Sequence, residues 1–387
     1  MRIAIAKSVL ENMLIHVQPF LEKKDTSQIT SHVCFEVQGN TLVVKATDYE
    51  VGLIIESDQV AVEMSGSITA NGKKLLDIVR ILKESEIVLE TVQNTLHIQQ
   101  GHSNFKLPTF NANEFPSFPE FTDKPKIGID SQLLVESLKK ITPSTDTNNP
   151  KFELNGALID IKNDQINFVS TDTRRLAIVN IDNSNETELS IIVPKKAIVE
   201  IQKLFFDNIE IYYDNTYLII RSDQYVFFTK LINGKFPDYT RIIPKEIAKT
   251  LMLPKALMVD AIKQITTISN DLKITFTGQT IEFESLSDDN IEAKTELNLE
   301  TGFESPFMFA VNSRYILDFI GQTKNSEFSI GLNESNMPFV LEDENFKTPK
   351  SSEIITDCQA KKYALSGNFL HKFNNSFMLQ TFRKQFL

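Results

Sequence analysis

A phosphate loop is the first chemistry the sequence invites. The run GSITANGKK (66–74) places glycines and a lysine ahead of a helix-like stretch, as a nucleotide-binding loop does. Its spacing is wrong, because Gly66 and Gly72 are one position too far apart and Lys74 stands where a hydroxyl should hold magnesium. The run reads as a turn before a helix. Asp48 and Asp172 are a second candidate, as paired carboxylates for acid–base work. Each follows a threonine at a matching place in repeated segments, which favours a turn or helix-cap role. His16, His32, His97, His102 and His371 keep no metal-ligand spacing, and Cys34 and Cys358 form no CxxC. Cys34, inside HVCFEV, reads as a small core residue. No Gly-x-Ser-x-Gly or His-Glu-x-x-His occurs, so no nucleophile has an evident base. The expectation is a protein without catalytic residues, cofactor or metal.

The elements that carry these residues repeat. Three segments, RIAIAKSVLENMLIHV, KIGIDSQLLVESLKKI and TLMLPKALMVDAIKQI, each run from a short strand into an amphipathic stretch. Leu10, Leu134 and Leu257 are matching positions, 124 and 123 residues apart. Thr47-Asp48 and Thr171-Asp172 are again 124 apart, and Phe115-Pro116 and Phe236-Pro237 differ by 121. A second helical segment contains Lys74, Lys196 and Arg314, at steps of 122 and 118. Four anchors on one period predict three tandem α+β domains over 1–123, 124–247 and 248–347, followed by a divergent tail, 348–387. Each unit reads as strand, helix, strands, helix, strands, with two helices packed on antiparallel sheet. Sheets of neighbouring units could join edge to edge, burying strand edges that would otherwise be exposed liabilities.

Charge is unevenly distributed. The formal net charge is −11, which taken alone argues against nucleic acid. Six helical windows (7–24, 73–84, 131–140, 195–204, 255–264 and 313–324) nevertheless hold 16 basic against 8 acidic residues, leaving −19 on the remainder. A positive helical face on an acidic body suits a phosphate backbone, although lysine and arginine are also ordinary residues of solvated helices. With no stacking platform and no recognition helix, such binding would ignore base sequence. The N-terminal run MRIAIAKSVLENML is broken by Lys7 and Glu11, so neither a signal peptide nor a membrane span is expected, and the location is expected to be cytoplasmic.

The runs LNGALIDI, STDTRRLAIV, IIVPKKAIVEI and KLINGKFPDYTRIIPK, in this order, carry a resemblance to the bacterial DNA polymerase III beta subunit, the replicative sliding clamp family, from residue 1 to about 347. The resemblance implies a head-to-tail homodimer: a closed ring of six clamp domains, helices lining the hole, which encircles double-stranded DNA without sequence specificity. The partners it implies are the clamp loader, the replicative polymerase and repair proteins, which bind through short clamp-binding peptides. It implies DNA contacts at Lys23, Lys24, Lys73, Asn148, Lys151 and Lys196. The peptide pocket would use Leu154, Thr171, Thr173, Arg174, Arg175, Leu176, Pro237, Arg241, Ile242, Asn312, Tyr315 and Pro338. Of these, Leu176 and Ile242 could equally be plain core. Phe105 and Ile268 would lie at the dimer interface.

The chain departs from the family in three places. Thr171-Asp172-Thr173-Arg174-Arg175-Leu176 replaces the usual Thr-Asp-Gly-His-Arg-Leu, making the pocket rim bulkier and more basic. The loop after Ile268-Ser269-Asn270 is shortened. The family's closing Val-Met-Pro-Met strand is missing from 349–387, which could be an added segment, a replacement strand or an altered end; if the tail supplies no strand, peptide binding is expected to be weaker. A repeat scaffold that binds proteins without encircling DNA is the alternative reading, and a hydrolase with carboxylates at domain junctions is a more distant one.

Overall fold

The computed structural model describes residues 1–25, 27–183, 188–287, 291–343 and 352–356, the last segment by its backbone alone. The first repeat runs β1 (Arg2–Ala6), α1 (Lys7–Val17), β2 (His32–Gln38), β3 (Thr41–Thr47), β4 (Val51–Ser57), β5 (Val60–Met64), β6 (Gly66–Asn71), α2 (Gly72–Ile81), β7 (Glu86–Val92), β8 (Thr95–Gln100) and β9 (Ser103–Pro108). The second contains β10 (Lys126–Ile127), α3 (Ser131–Ile141), β11 (Gly156–Ile161), β12 (Gln165–Thr171), β13 (Arg175–Asp182), β14 (Leu189–Pro194), α4 (Lys195–Leu204), β15 (Glu210–Tyr213), β16 (Tyr217–Arg221) and β17 (Tyr225–Lys230). The third contains β18 (Lys249–Pro254), α5 (Lys255–Thr266), β19 (Asp271–Phe276), β20 (Thr280–Ser285), β21 (Lys294–Asn298), β22 (Phe307–Asn312), α6 (Ser313–Gln322), β23 (Glu327–Leu332), β24 (Phe339–Asp343) and β25 (Ser352–Thr356). Among the described residues, the six α-helices overlap the six helical windows of the sequence and extend no more than two residues beyond them.

The helices form where apolar residues recur at spacings of three and four. In α2, Leu75, Leu76 and Val79 are buried while Lys73, Lys74 and Arg80 are exposed. The run GSITANGKK is no phosphate loop: β6 passes directly into α2, and Asn71 Oδ1 caps the helix by accepting from the Lys74 N–H at 3.0 Å. Gly72 is required by packing, since a Cβ there would sit 2.4 Å from a Leu21 methyl.

The chain makes two compact units that cut across the repeats. Unit one comprises 1–132 and 199–231, and unit two 133–198 and 232–387, so the second repeat is shared. Unit one holds an eight-stranded sheet, β10-β15-β16-β17-β4-β3-β2-β6, and a five-stranded sheet, β5-β1-β7-β8-β9. Unit two holds an eight-stranded sheet, β14-β11-β12-β13-β25-β24-β23-β18, and a four-stranded sheet, β21-β20-β19-β22. Sheets of successive repeats therefore join edge to edge within each unit. In unit one β17 pairs with β4, from Tyr225 opposite Ile55 to Thr229 opposite Val51. In unit two β25 pairs with β13, from Ser352 opposite Val179 to Thr356 opposite Arg175. Shifted by the 124-residue repeat, Ile55 and Val51 become Val179 and Arg175, so the two joints keep one register.

Of the three readings open for residues 349–387, the replacement strand is the one found at the second joint, where β25 lies between β13 and β24, paired on both edges. Its pattern is weak because backbone pairing on both sides, not its own alternation, makes it a strand. The rest of the tail lies outside the described residues.

The first joint closes around Gly52, which faces Phe228, and a Cβ there would come within 2.2 Å of that ring. Gly52→Ala should therefore lower stability by ~1–3 kcal/mol through overpacking, read from denaturant midpoints. An unchanged midpoint would show that the ring moves freely.

His32 provides a pH test. Its side chain is 5% exposed, its Nδ1 lies 3.3 Å from Thr69 Oγ1 and its ring packs on Phe110. Burial, with a smaller push from Lys74, lowers its pKa to about 4. Between that value and the ordinary 6.5 the unfolded chain binds a proton that the folded chain refuses, so stability falls as pH drops through this window. Acidification from pH 7 to 4.5 should cost up to ~3 kcal/mol at this site. His32→Gln should flatten that part of the melting-temperature profile.

Candidate peptide groove and nucleic-acid interface

The aspartates considered for catalysis are turn residues. Thr47 Oγ1 donates to the Val51 carbonyl and accepts from the Tyr49 N–H, while Asp48 Oδ1 accepts from the Glu50 and Val51 N–H groups. The second repeat copies this bond for bond. Thr171 Oγ1 donates to the Arg175 carbonyl and accepts from Thr173 N–H, and Asp172 Oδ1 accepts from the Arg174 and Arg175 N–H groups at 3.0 Å each. The turn forces its third residue left-handed, Tyr49 at φ 73° and Thr173 at φ 69°.

In unit two this turn stands beside an apolar cluster. Leu154, Leu158, Val169, Leu176, Ile178, Ile192, Ile232, Phe236, Tyr239 and Val340 form it, with Ile242 and Ile243 half-buried against it. Leu154 and Leu176 have no exposed surface, so they are core of this cluster and cannot line a peptide site directly. Thr171 and Pro338 are buried as well. The accessible groups are Thr173, Arg174, Pro237, Arg241, Ile242, Asn312 and Tyr315. Apolar wells rimmed by a few polar groups are what a short peptide with aliphatic or aromatic anchors requires.

The two adjacent arginines part company. Arg175 is 5% exposed; its guanidinium donates to Asp172 Oδ2 at 3.0 Å, Asp318 Oδ2 at 2.7 Å and the Pro143 carbonyl at 2.6 Å, and it lies 4.6 Å from the Tyr315 ring centre. It is a buried tie between β13 and α6. Arg174 is exposed and has no acidic partner among the described residues. Burial raises the Tyr315 pKa, keeping its hydroxyl protonated. Asn312 serves α6 as its N-cap, accepting from Arg314 N–H, and donates to Asp271 Oδ1; neither bond ties it to the groove. Arg241 pairs with Asp238 at 2.9 Å. Asp318, which the sequence did not single out, lies 143 residues from Arg175, and no spacing signal could have found it.

The lysines divide similarly. Three strand lysines are neutralised: Lys45 by Glu36, Lys126 by Glu210, and Lys294 by Glu282 and Glu284. Lys23, Lys24, Lys73 and Lys151 have no side-chain partner among the described residues, and all but the half-buried Lys151 are exposed. Asn148 is exposed in the same segment as Lys151, and Lys196 is exposed in the first turn of α4. Phe152, next to Lys151, is 65% exposed and went unnoticed in the sequence. Phe105 is half-buried on β9, and Ile268 is 39% exposed just after α5. Cys34 is buried and its thiol pushed up to about 12, leaving it unreactive. Among the described residues no group of three or more His, Cys, Asp or Glu could hold a metal, and no helix is long and apolar enough to cross a membrane.

Three repeats joined through their sheets, with the notable aspartates absorbed into turns, define a repeat protein of the clamp type. The family models of the DNA polymerase III beta subunit match throughout: its N-terminal domain over 1–119, its central domain over 128–238 and its C-terminal domain over 240–355. The beta sliding clamp of Helicobacter pylori is 38% identical over 352 residues, covering 89% of this chain and 94% of that protein. That of Vibrio cholerae is 26% identical over 88% of this chain and 96% of its own length. Among solved structures, the H. pylori beta clamp bound to a DNA ligase peptide superposes with a TM-score of 0.85 at 36% identity, covering 92% of this chain and 99% of that one. The chain belongs to the DNA polymerase III beta subunit family, the sliding clamps of DNA replication.

The rim turn yields a test. A β-branched residue held left-handed costs ~1–2 kcal/mol, and glycine gives back ~0.5–1 kcal/mol of that in chain entropy. Thr173→Gly should thus be neutral to ~1 kcal/mol stabilising in a urea titration. A loss above ~1 kcal/mol would mean that the threonine earns its place by contacts.

Proposed function

We propose that two copies of this chain close a ring around duplex DNA and tether DNA-acting proteins through the groove of unit two. The observation that carries this reading is a missing joint. β9 is the first repeat's counterpart of β17 and β25, and β21 is the third repeat's counterpart of β4 and β13. Yet β9 and β21 are each the last strand of their sheet. A third joint of the same kind, β9 of one copy against β21 of another, would pair both edges, and two copies would then leave none open. Phe105 holds on β9 the place of Phe227 on β17, opposite Ile98 as Phe227 is opposite Ile220. A ring edge needs such an apolar side chain. Ile268 would belong to the same interface.

DNA would be held by topology. The free lysines Lys23, Lys24, Lys73 and Lys151, with Asn148 and Lys196, offer phosphate contacts without base readout, so the ring slides while the acidic body is repelled. The groove would take partner peptides, as that of the H. pylori clamp takes a DNA ligase peptide. Its wall strand is present in β25, which supports ordinary peptide affinity. The partners would be the clamp loader, the replicative polymerase and repair proteins, with the chain acting as a cytoplasmic, non-catalytic subunit of the polymerase III holoenzyme.

Light scattering at low micromolar concentration should give twice the 44.0 kDa chain mass, and Phe105→Asp should shift it to one chain. The wild-type protein, loaded on nicked circular DNA, should be retained through gel filtration and lost on linearisation. A persistent single-chain mass, or equal retention on both DNAs, would favour a scaffold that does not encircle DNA.

A further inference from the structure

Because the joints in the two units keep one register, their surroundings can be compared position by position. The comparison exposes a difference at one end of the joint. Leu10 matches Leu134, so His16 of α1 stands where Lys140 stands in α3. In unit two that position holds a resident ammonium group. Burial lowers the Lys140 pKa, while Asp343 and Glu136 oppose this and favour its charge. Asp343 is 1% exposed and accepts at Oδ1 from Asn325 Nδ2, and Glu136 also pairs with Lys324 at 2.8 Å.

Unit one has no lysine there. Instead a cleft of ≈ 310 Å³ opens, lined by α1, the end of β4 and the start of β17. Glu56 supplies its one formal charge, and Asn12, Gln59 and Gln224 add amide oxygens. One wall is aromatic: the His16 and Tyr225 rings stack with centres 5.6 Å apart. The His16 Nδ1 lies 2.8 Å from the Asn12 carbonyl, which places a proton on Nδ1 and turns Nε2 away from that bond. Apart from that bond, none of these six side chains has a hydrogen-bond partner among the described residues. Acceptors, one carboxylate and a π face form an environment selective for a hydrogen-bond-donating cation.

We infer that this cleft binds an organic cation, an alkylammonium or guanidinium group, in the place that Lys140 occupies in unit two. Such a group has two natural sources, a free polyamine or an arginine or lysine side chain of a protein partner. The reading does not depend on ring closure or on the peptide groove.

The test uses the full chain with labelled histidines, following the His16 ring signals by NMR during titration with spermidine and, separately, with N-acetyl-arginine amide. Saturable shifts of His16 are expected with at least one probe. Spermidine alone would identify a polyamine site, and the arginine amide alone a partner side chain. Glu56→Gln, at an exposed position, should weaken binding at least tenfold by removing the charge-assisted contact. His16→Lys, which imitates unit two and lacks the reporting ring, should abolish the binding heat seen by calorimetry with the probe that saturates the wild type, with thermal unfolding confirming that the variant is folded. The inference is overturned if neither probe saturates His16 up to about 20 mM, a weakness beyond any useful site. It is also overturned if Glu56→Gln titrates like the wild type, because cation binding would then reflect only the general negative charge of the chain.

Discussion

The backbone hydrogen bonds of two exposed strand edges govern this molecule. A repeat of two helices on a sheet leaves unpaired N–H and C=O groups at the sheet margins, and these must find partners or become sites of aggregation. The chain meets that demand by pairing the last strand of one repeat with the fourth strand position of its neighbour, β17 with β4 and β25 with β13. Side chains then adapt to the backbone register. Gly52 is a glycine because Phe228 needs the room, and Phe227, buried completely, packs on Phe20 and Phe205. The compact units follow from the joints, which is why they divide the second repeat instead of respecting it.

The same economy accounts for the groups that the sequence offers as candidates for acid–base work. Asp48 and Asp172 spend their oxygens on N–H groups of their own turns. Arg175, flanking the second turn, is held by two carboxylates and a carbonyl; removing any one of them would leave part of a buried charge without compensation. That tie fixes β13 to α6 and so holds Tyr315 in one geometry. Were partner peptides to bind at the proposed site, a surface held in one geometry would lose little conformational entropy on binding.

Much of this architecture is legible in the sequence, for a physical reason. Helices and turns are local: Leu75, Leu76 and Val79 repeat at helical spacing, and the Thr-Asp pairs recur because the turn needs a hydroxyl and a carboxylate at those two positions. The joints are not local. Nothing in Tyr225–Lys230 names Val51–Ser57 as its neighbour, and β25 was missed because pairing on both edges makes a strand of residues with little pattern of their own. The site divides along the same line. The basic turn at Thr173 and Arg174 was visible, whereas the Arg175–Asp318 bond and the complete burial of Leu154 and Leu176 depend on residues brought together only by the fold.

Charge shows how a strongly acidic chain can present cations usefully. A lysine beside a glutamate on a sheet adds little to the field beyond its own pair, and Lys45, Lys126 and Lys294 are spent in this way. Lys23, Lys24, Lys73 and Lys151 remain uncompensated among the described residues. Ion pairing therefore matters as well as composition: some lysines are cancelled by a neighbouring glutamate, while a few keep their charge. A small number of unpaired cations suits a protein that must hold a polyanion loosely, because affinity rises steeply with each neutralised phosphate and a tighter face would stop the sliding that a clamp requires.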